Sequence, residues 1–131
     1  MKILMLTPYL PYPDSSGGQI RTQNLLKHLR KHHDITLFSL IKDKAETRYI
    51  PLLEKNFCKQ VRVFQRSRNP FTLKNILKTG FSALPFLIVR NFSEDAKAAI
   101  EAELSTNHYD LIHAETIYAM PLIPKTKVPI V

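Results

Sequence analysis

Lys2-Ile3-Leu4-Met5-Leu6-Thr7, then Pro8-Tyr9-Leu10-Pro11-Tyr12-Pro13-Asp14-Ser15-Ser16-Gly17-Gly18, then Gln19 to His33, then Asp34 to Ile41: these are consecutive pieces with different habits. The first is mostly apolar with little alternation, the pattern of a strand buried on both faces of a parallel sheet. The second holds Pro8, Pro11, Pro13, Gly17 and Gly18, which excludes a helix interior and makes a loop. From about Gln19 a helical period begins. Thr22, Leu25, Leu26, Leu29 and His33 share one face, while Arg21, Lys27, Arg30 and Lys31 fall on others. Asp34 to Ile41 is apolar and β-rich again. Strand, glycine loop, helix and strand make a βαβ unit, whose crossover is almost always right-handed.

Outward from this unit the alternation continues less sharply. Lys44 to Lys55 reads as a helix that Pro51 breaks or bends. Lys59 to Phe64 alternates Val61 and Val63 with polar residues and predicts a third strand. Arg66 to Asn69 is a basic turn. Asn69-Pro70 then looks like an N-cap with proline at the first helical position, ahead of Phe71, Leu73, Ile76, Leu77 and Phe81 on an apolar face. Pro85 to Asn91 reads as a further helical turn. Ser93 is an N-cap candidate with Glu94 and Asp95 in the first turn, and Ala96, Ala99, Ile100 and Leu104 form the buried face behind it. Tyr109 to Ala114 predicts a fourth strand, and Val128 to Val131 begins a fifth. Strands alternating with helices predict an α/β fold: a Rossmann-like, mostly parallel sheet flanked by helices.

Composition bounds the possibilities. The chain has 131 residues, 44% of them hydrophobic and 23% charged, which is globular composition at the size of one domain. The expected domain is 1–131. The single cysteine, Cys58, cannot form an internal disulfide, which favours a reducing compartment and a cytoplasmic location. Ile3 to Leu6 is too short for a secretion-signal core, and no stretch approaches the apolar length of a membrane span. Lys and Arg number 19 against 11 Asp and Glu, a net charge of +8 that favours anionic partners without choosing among them. Nucleic acid is disfavoured, because no array of aromatic residues interleaved with Lys and Arg is present.

In parallel α/β sheets, ligands bind beyond the carboxyl ends of the strands. Two segments lie there: the loop after Thr7 and the stretch from His113. Gly17 and Gly18 stand just before the helix, where free N–H groups favour an anion and a missing side chain admits close approach. The same glycines would also serve merely to make the turn. Neither G-x-G-x-x-G nor the P-loop pattern is present, which counts against NAD and ATP. His28 and His32 are four apart on the helix but have no acidic or cysteine partner nearby, so no metal is expected. Lys74 and Lys78 beside Phe71, Leu77 and Phe81 make a basic amphipathic helix, able to rest on an anionic membrane or simply to pack with solvated lysines.

The segment Lys2 to Pro13, followed by Ser16-Gly17-Gly18-Gln19-Ile20-Arg21, resembles the opening of the fourth family of retaining glycosyltransferases. Tyr109-Asp110-Leu111-Ile112-His113-Ala114-Glu115 resembles a second landmark of that family, and Lys127 to Val131 resembles the strand that follows it. The resemblance implies a GT-B architecture of two Rossmann-like domains across a cleft, with this chain as the N-terminal, acceptor-side domain, cut short in its fifth strand. It implies that Gly17 and Gly18 approach the donor diphosphate and that His113 stands near the donor sugar as the catalytic residue. Arg21 would add positive charge at the phosphates, and Glu115 would face an acceptor or sugar hydroxyl.

The implied reaction moves a sugar from a nucleotide-sugar donor to a hydroxyl of a sugar or lipid-linked acceptor, with retention and without a metal or other cofactor. The missing C-terminal domain carries most of the donor site, so the chain alone is not expected to be active. A peripheral position at the inner face of the membrane and self-association through the open sheet edge are further expectations. The competing expectation is a non-catalytic basic α/β module that binds a phosphate ligand, nucleic acid or a protein.

Overall fold

The computed structural model describes residues 1–66, 77 and 91–131. Four parallel strands form the sheet: β1 (Lys2–Thr7), β2 (Asp34–Ile41), β3 (Gln60–Gln65) and β4 (Leu111–Ala114), in the spatial order β3-β2-β1-β4. Helix α1 (Gly17–Leu29) links β1 to β2. A 3-10 turn (Lys44–Tyr49) and α2 (Ile50–Asn56) link β2 to β3, and α3 (Glu94–Thr106) precedes β4. A second 3-10 turn spans Ile117–Leu122. The expected α/β, Rossmann-like fold is the observed one. The expected helix from Asn69-Pro70 to Phe81, with Lys74 and Lys78, and the turn from Pro85 lie outside the described residues apart from Leu77 and Asn91.

The central strands are buried on both faces, which is why they read as apolar runs. Leu4, Leu6, Phe38, Leu40 and Ile112 face one way and pack with Ala96 and Ile100 of α3. Met5, Ile35, Leu37 and Ile41 face the other way and pack with Leu26 of α1 and Leu53 of α2. Leu4, Met5, Leu26, Leu37, Leu53 and Ile112 are fully buried. The sheet is thus sandwiched between α1 with α2 on one side and α3 on the other.

The boundaries differ from expectation in specific places. The helix starts at Gly17 rather than about Gln19, because Ser16 caps it: its hydroxyl oxygen accepts the Gln19 amide at 3.3 Å. Pro51 does not bend a helix. It sits in the first turn of α2, where its missing N–H has no intrahelical role. The Lys44–Tyr49 turn is opened by a capping box between Asp43 and Glu46. The fourth strand begins at Leu111, not Tyr109. Near the C-terminus only Ile130 forms a ladder bridge, parallel to Ile112, through Ile112 N–H to Pro129 O (2.9 Å), Val131 N–H to Ile112 O (3.0 Å) and Ala114 N–H to Val131 O (2.7 Å).

The order β3-β2-β1-β4 places a topological switch point between β1 and β4, since the chain leaves β1 toward one edge and returns to its other side later. A crevice at the carboxyl ends of such a strand pair is the general ligand position of doubly wound sheets.

Candidate functional site at the switch point

At the carboxyl end of β1 the chain runs on through Pro8 and Tyr9 into the loop before α1. At the carboxyl end of β4 it runs into Glu115, whose amide donates to Leu6 O at 3.0 Å and carries the ladder one step past the strand. The helix start and the two strand ends therefore meet at one place.

Glu115 is the centre of that meeting. Its side chain is 1% exposed, so its carboxylate is expensive to bury unless donors surround it. They do. Thr22 Oγ1, buried in α1, lies 3.1 Å from Oε1; His113 Nε2 lies 3.0 Å from Oε2; Arg21 Nη1 lies 3.5 Å from Oε1. With the carboxylate accepting, His113 donates from Nε2, and Nδ1 faces no hydrogen-bond partner among the described residues. Thr22 shares its hydroxyl hydrogen between Glu115 and Gly18 O, which is 2.9 Å away. The Tyr9 hydroxyl completes the chain at 3.4 Å from Thr22 Oγ1. Arg21 leaves 73% of its side chain in solvent, so its ion pair is worth no more than about 1 kcal/mol and its charge stays available outward. Beside Glu115, the Thr116 hydroxyl is buried without a partner among the described residues.

Gly17 and Gly18 occupy the first turn of α1 rather than a turn before it, and neither has a positive φ. Their use is space, not unusual backbone. A β-carbon on Gly17 would meet nothing within 4 Å, whereas one on Gly18 would come within 2.8 Å of the Tyr9 hydroxyl oxygen and 3.2 Å of its Cζ. Both glycines are exposed, and their amides have no acceptor among the described residues. Two N–H groups at the positive end of α1, with Arg21 one position inside the next turn, form a surface suited to an anion.

Of the residues singled out in the sequence, Arg21, His113 and Glu115 are drawn into one network, and Gly18 joins it through Thr22. Gly17 stands apart with open space before it. Glu115 was expected to face a ligand hydroxyl; its oxygens are instead engaged by protein donors below the surface. Thr22 and Tyr9 were not anticipated as members. Thr22 sits 93 positions from Glu115 and looked like any helix-face residue. The Ser16 cap, by contrast, had a readable signal, serine followed three places later by glutamine. His28, the first of the spaced histidines, spends Nδ1 on Asn24 O at 2.7 Å. Among the described residues no group of three His, Cys, Asp or Glu side chains is placed to hold a metal, and no helix is long and apolar enough to cross a membrane. No family model, curated protein or solved structure matches the chain.

Proposed function

We propose that this chain is the acceptor-side half of a retaining glycosyltransferase of the GT-B kind, which moves a sugar from a nucleotide-sugar donor to a hydroxyl. The observation that carries the reading is the convergence at the β1–β4 switch point: the free amides of Gly17 and Gly18, the outward cation of Arg21, and His113 held by buried Glu115. A departing nucleoside diphosphate gathers negative charge on its phosphates. Preorganised N–H groups and a guanidinium stabilise that charge without needing to reorganise as it develops. Glu115 acts as a positioning residue. It fixes the His113 ring and holds one Nη of the Arg21 guanidinium, while Thr22 ties it to α1. His113 then presents its Nδ1 edge, a hydrogen-bond acceptor in this tautomer, for a sugar hydroxyl. In this reading a second, C-terminal domain supplies the remaining donor contacts.

Amide chemical shifts of the isotope-labelled chain, titrated with pyrophosphate, nucleoside diphosphates and nucleotide-sugars, test the reading. Shifts should move first at Gly17, Gly18 and Arg21, more for nucleotide-sugars than for inorganic phosphate. Perturbations scattered over the basic surface, with Gly17 and Gly18 silent, would reject it. A response to oligonucleotides with steep salt dependence would favour a nucleic-acid module instead.

A further inference from the structure

A concave feature lies beside the switch-point site. It is a cleft of about 520 Å³ beyond the carboxyl ends of β2 and β3, where Lys42 follows β2 and Arg66 follows β3, with Arg48, Ser15, Ser16 and Tyr9 among its lining. That volume falls in the usual range for small-molecule sites.

Its charge is one-sided. Arg66 is buried in the wall, where Nη1 donates to Asn91 Oδ1 at 3.1 Å and approaches Pro8 O at 3.4 Å. The Lys42 side chain is exposed, and its ammonium has no partner among the described residues. Arg48 is braced by its neighbour: Nη2 donates to the Tyr49 hydroxyl at 2.7 Å and the guanidinium lies 4.8 Å from that ring's centroid. A guanidinium has five N–H donors, so most of them remain available. The acid in the lining, Glu46, has Oε1 committed to the amides of Lys42 and Asp43 at 2.8 and 2.9 Å.

The opposite rim has different chemistry. Ser15 and Ser16 both donate their hydroxyl hydrogens to Gln19 Oε1, at 2.8 and 3.0 Å. Ser15 Oγ accepts from no donor among the described residues, and Ser16 Oγ keeps one lone pair beside the one that takes the Gln19 amide at 3.3 Å, so this rim can still accept from hydroxyl donors on a ligand. The cleft also abuts the first site: Ser16 precedes Gly17, and Tyr9 reaches Thr22 and through it Glu115.

Cations on one wall and hydroxyl acceptors on the other are the complement of a hydroxyl-rich ring that carries a phosphate. We infer that this cleft binds a phosphorylated sugar-like ring, free or as the headgroup of a lipid. Its role as the acceptor rests on the glycosyltransferase reading, whereas the binding itself does not. The phosphate lies toward Lys42 and Arg48, and ring hydroxyls face Ser15 and Ser16, next to Gly17.

Titration calorimetry with a hexose monophosphate and with the same hexose unphosphorylated tests this on the wild type and on the double variant Lys42→Ala, Arg48→Ala. Both positions are exposed, so the variant should fold; an unchanged melting temperature checks that. The double variant should bind the hexose monophosphate about tenfold more weakly or worse, as expected for lost charge-assisted contacts. Its response to nucleoside diphosphate at Gly17 and Gly18 should be unchanged. Failure of the cleft and failure of the donor site are thereby separated. Flotation with phosphatidylinositol in phosphatidylcholine vesicles, against phosphatidylcholine alone, identifies the source: a lipid headgroup if only vesicles bind and the double variant abolishes it, a free sugar phosphate if the soluble ligand binds. Equal affinity of wild type and double variant, equal affinity for both hexose forms, or no binding in either arm would overturn the proposal.

Discussion

Alanine at Gly17 and alanine at Gly18 should act in opposite directions, although the residues are adjacent and both are helical. Neither glycine has a positive φ, so alanine is compatible with the backbone at both. Such a replacement stabilises by about 0.4–1 kcal/mol by narrowing the unfolded ensemble. At Gly17 nothing lies within 4 Å of the new β-carbon, and that gain should be realised in full. At Gly18 the β-carbon would lie 2.8 Å from the Tyr9 hydroxyl and 3.2 Å from Cζ, so the ring must move. Its 3.4 Å contact to Thr22 is then lost. Overpacking of this sort costs about 1–3 kcal/mol, which leaves Gly18→Ala a net loss of up to about 2.6 kcal/mol. For a chain of 131 residues, 1 kcal/mol corresponds to about 3–4 °C. Calorimetric melting should therefore raise the midpoint of Gly17→Ala by about 1–4 °C and lower that of Gly18→Ala by up to about 9 °C. The more stable Gly17→Ala should nonetheless bind nucleotide-sugar more weakly, because a methyl group then stands where a phosphate approaches. Two variants shifted in the same direction would refute the division of labour drawn between these glycines. A Gly17→Ala protein with undiminished ligand binding would remove Gly17 from the site.

Glu115→Ala should destabilise by about 1–3 kcal/mol in urea unfolding, since Thr22 and His113 lose their acceptor, and Glu115→Gln should cost less because it retains one acceptor oxygen. Burial pushes the Cys58 thiol up to about 12 from 9.0, against the opposing charge of Arg30. Burial, followed by the Glu103 hydrogen bond, pushes Tyr109 to about 12 from 10.0. Both groups ionise more readily unfolded, so stability should be full below about pH 9 and fall as pH rises toward 12, with Cys58→Ala flattening the first part of the fall in melts across that range. The same burial should leave Cys58 unreactive to iodoacetamide until the chain unfolds; rapid native labelling would contradict it. Leu26→Ala, at a fully buried position between α1 and the sheet, should cost about 2–5 kcal/mol by denaturant titration.

The strands were legible because they are buried on both faces. β1 and β2 match their apolar runs residue for residue, and β3 is displaced by one position. Errors arose where a residue has two local meanings. Gly17 and Gly18 read as loop formers, yet with Ser16 capping they start the helix. Pro51 read as a breaker and proved a starter. Tyr109 read as the first residue of the fourth strand, but its hydroxyl is turned to Glu103 at 2.6 Å, and Asp110 next to it accepts the Lys2 amide at the strand's entrance. For the site, the residue types at strand ends were visible one by one. Their pairing was not, because Thr22 and Glu115 meet only through the sheet's order, which no local pattern encodes. The cleft with Lys42 and Arg48 has no local signature for the same reason: its walls come from segments that are neighbours only at the strand ends.

The central place of β1 also has a kinetic side. Its pairing with β2 brings Lys2 to Asp34, whereas its pairing with β4 brings Ile3 to Leu111, a span more than three times longer. Loop closure over the longer span costs about 1 kcal/mol more before any contact repays it, which favours assembly of β1, β2 and β3 first and addition of β4 last. Native-state hydrogen exchange should accordingly show weaker protection at Ile112 and Ala114 than at Leu37. The chain thus completes its βαβ scaffold early, while Thr22 acquires Glu115, and Arg21 and His113 acquire their common partner, only at the final docking event.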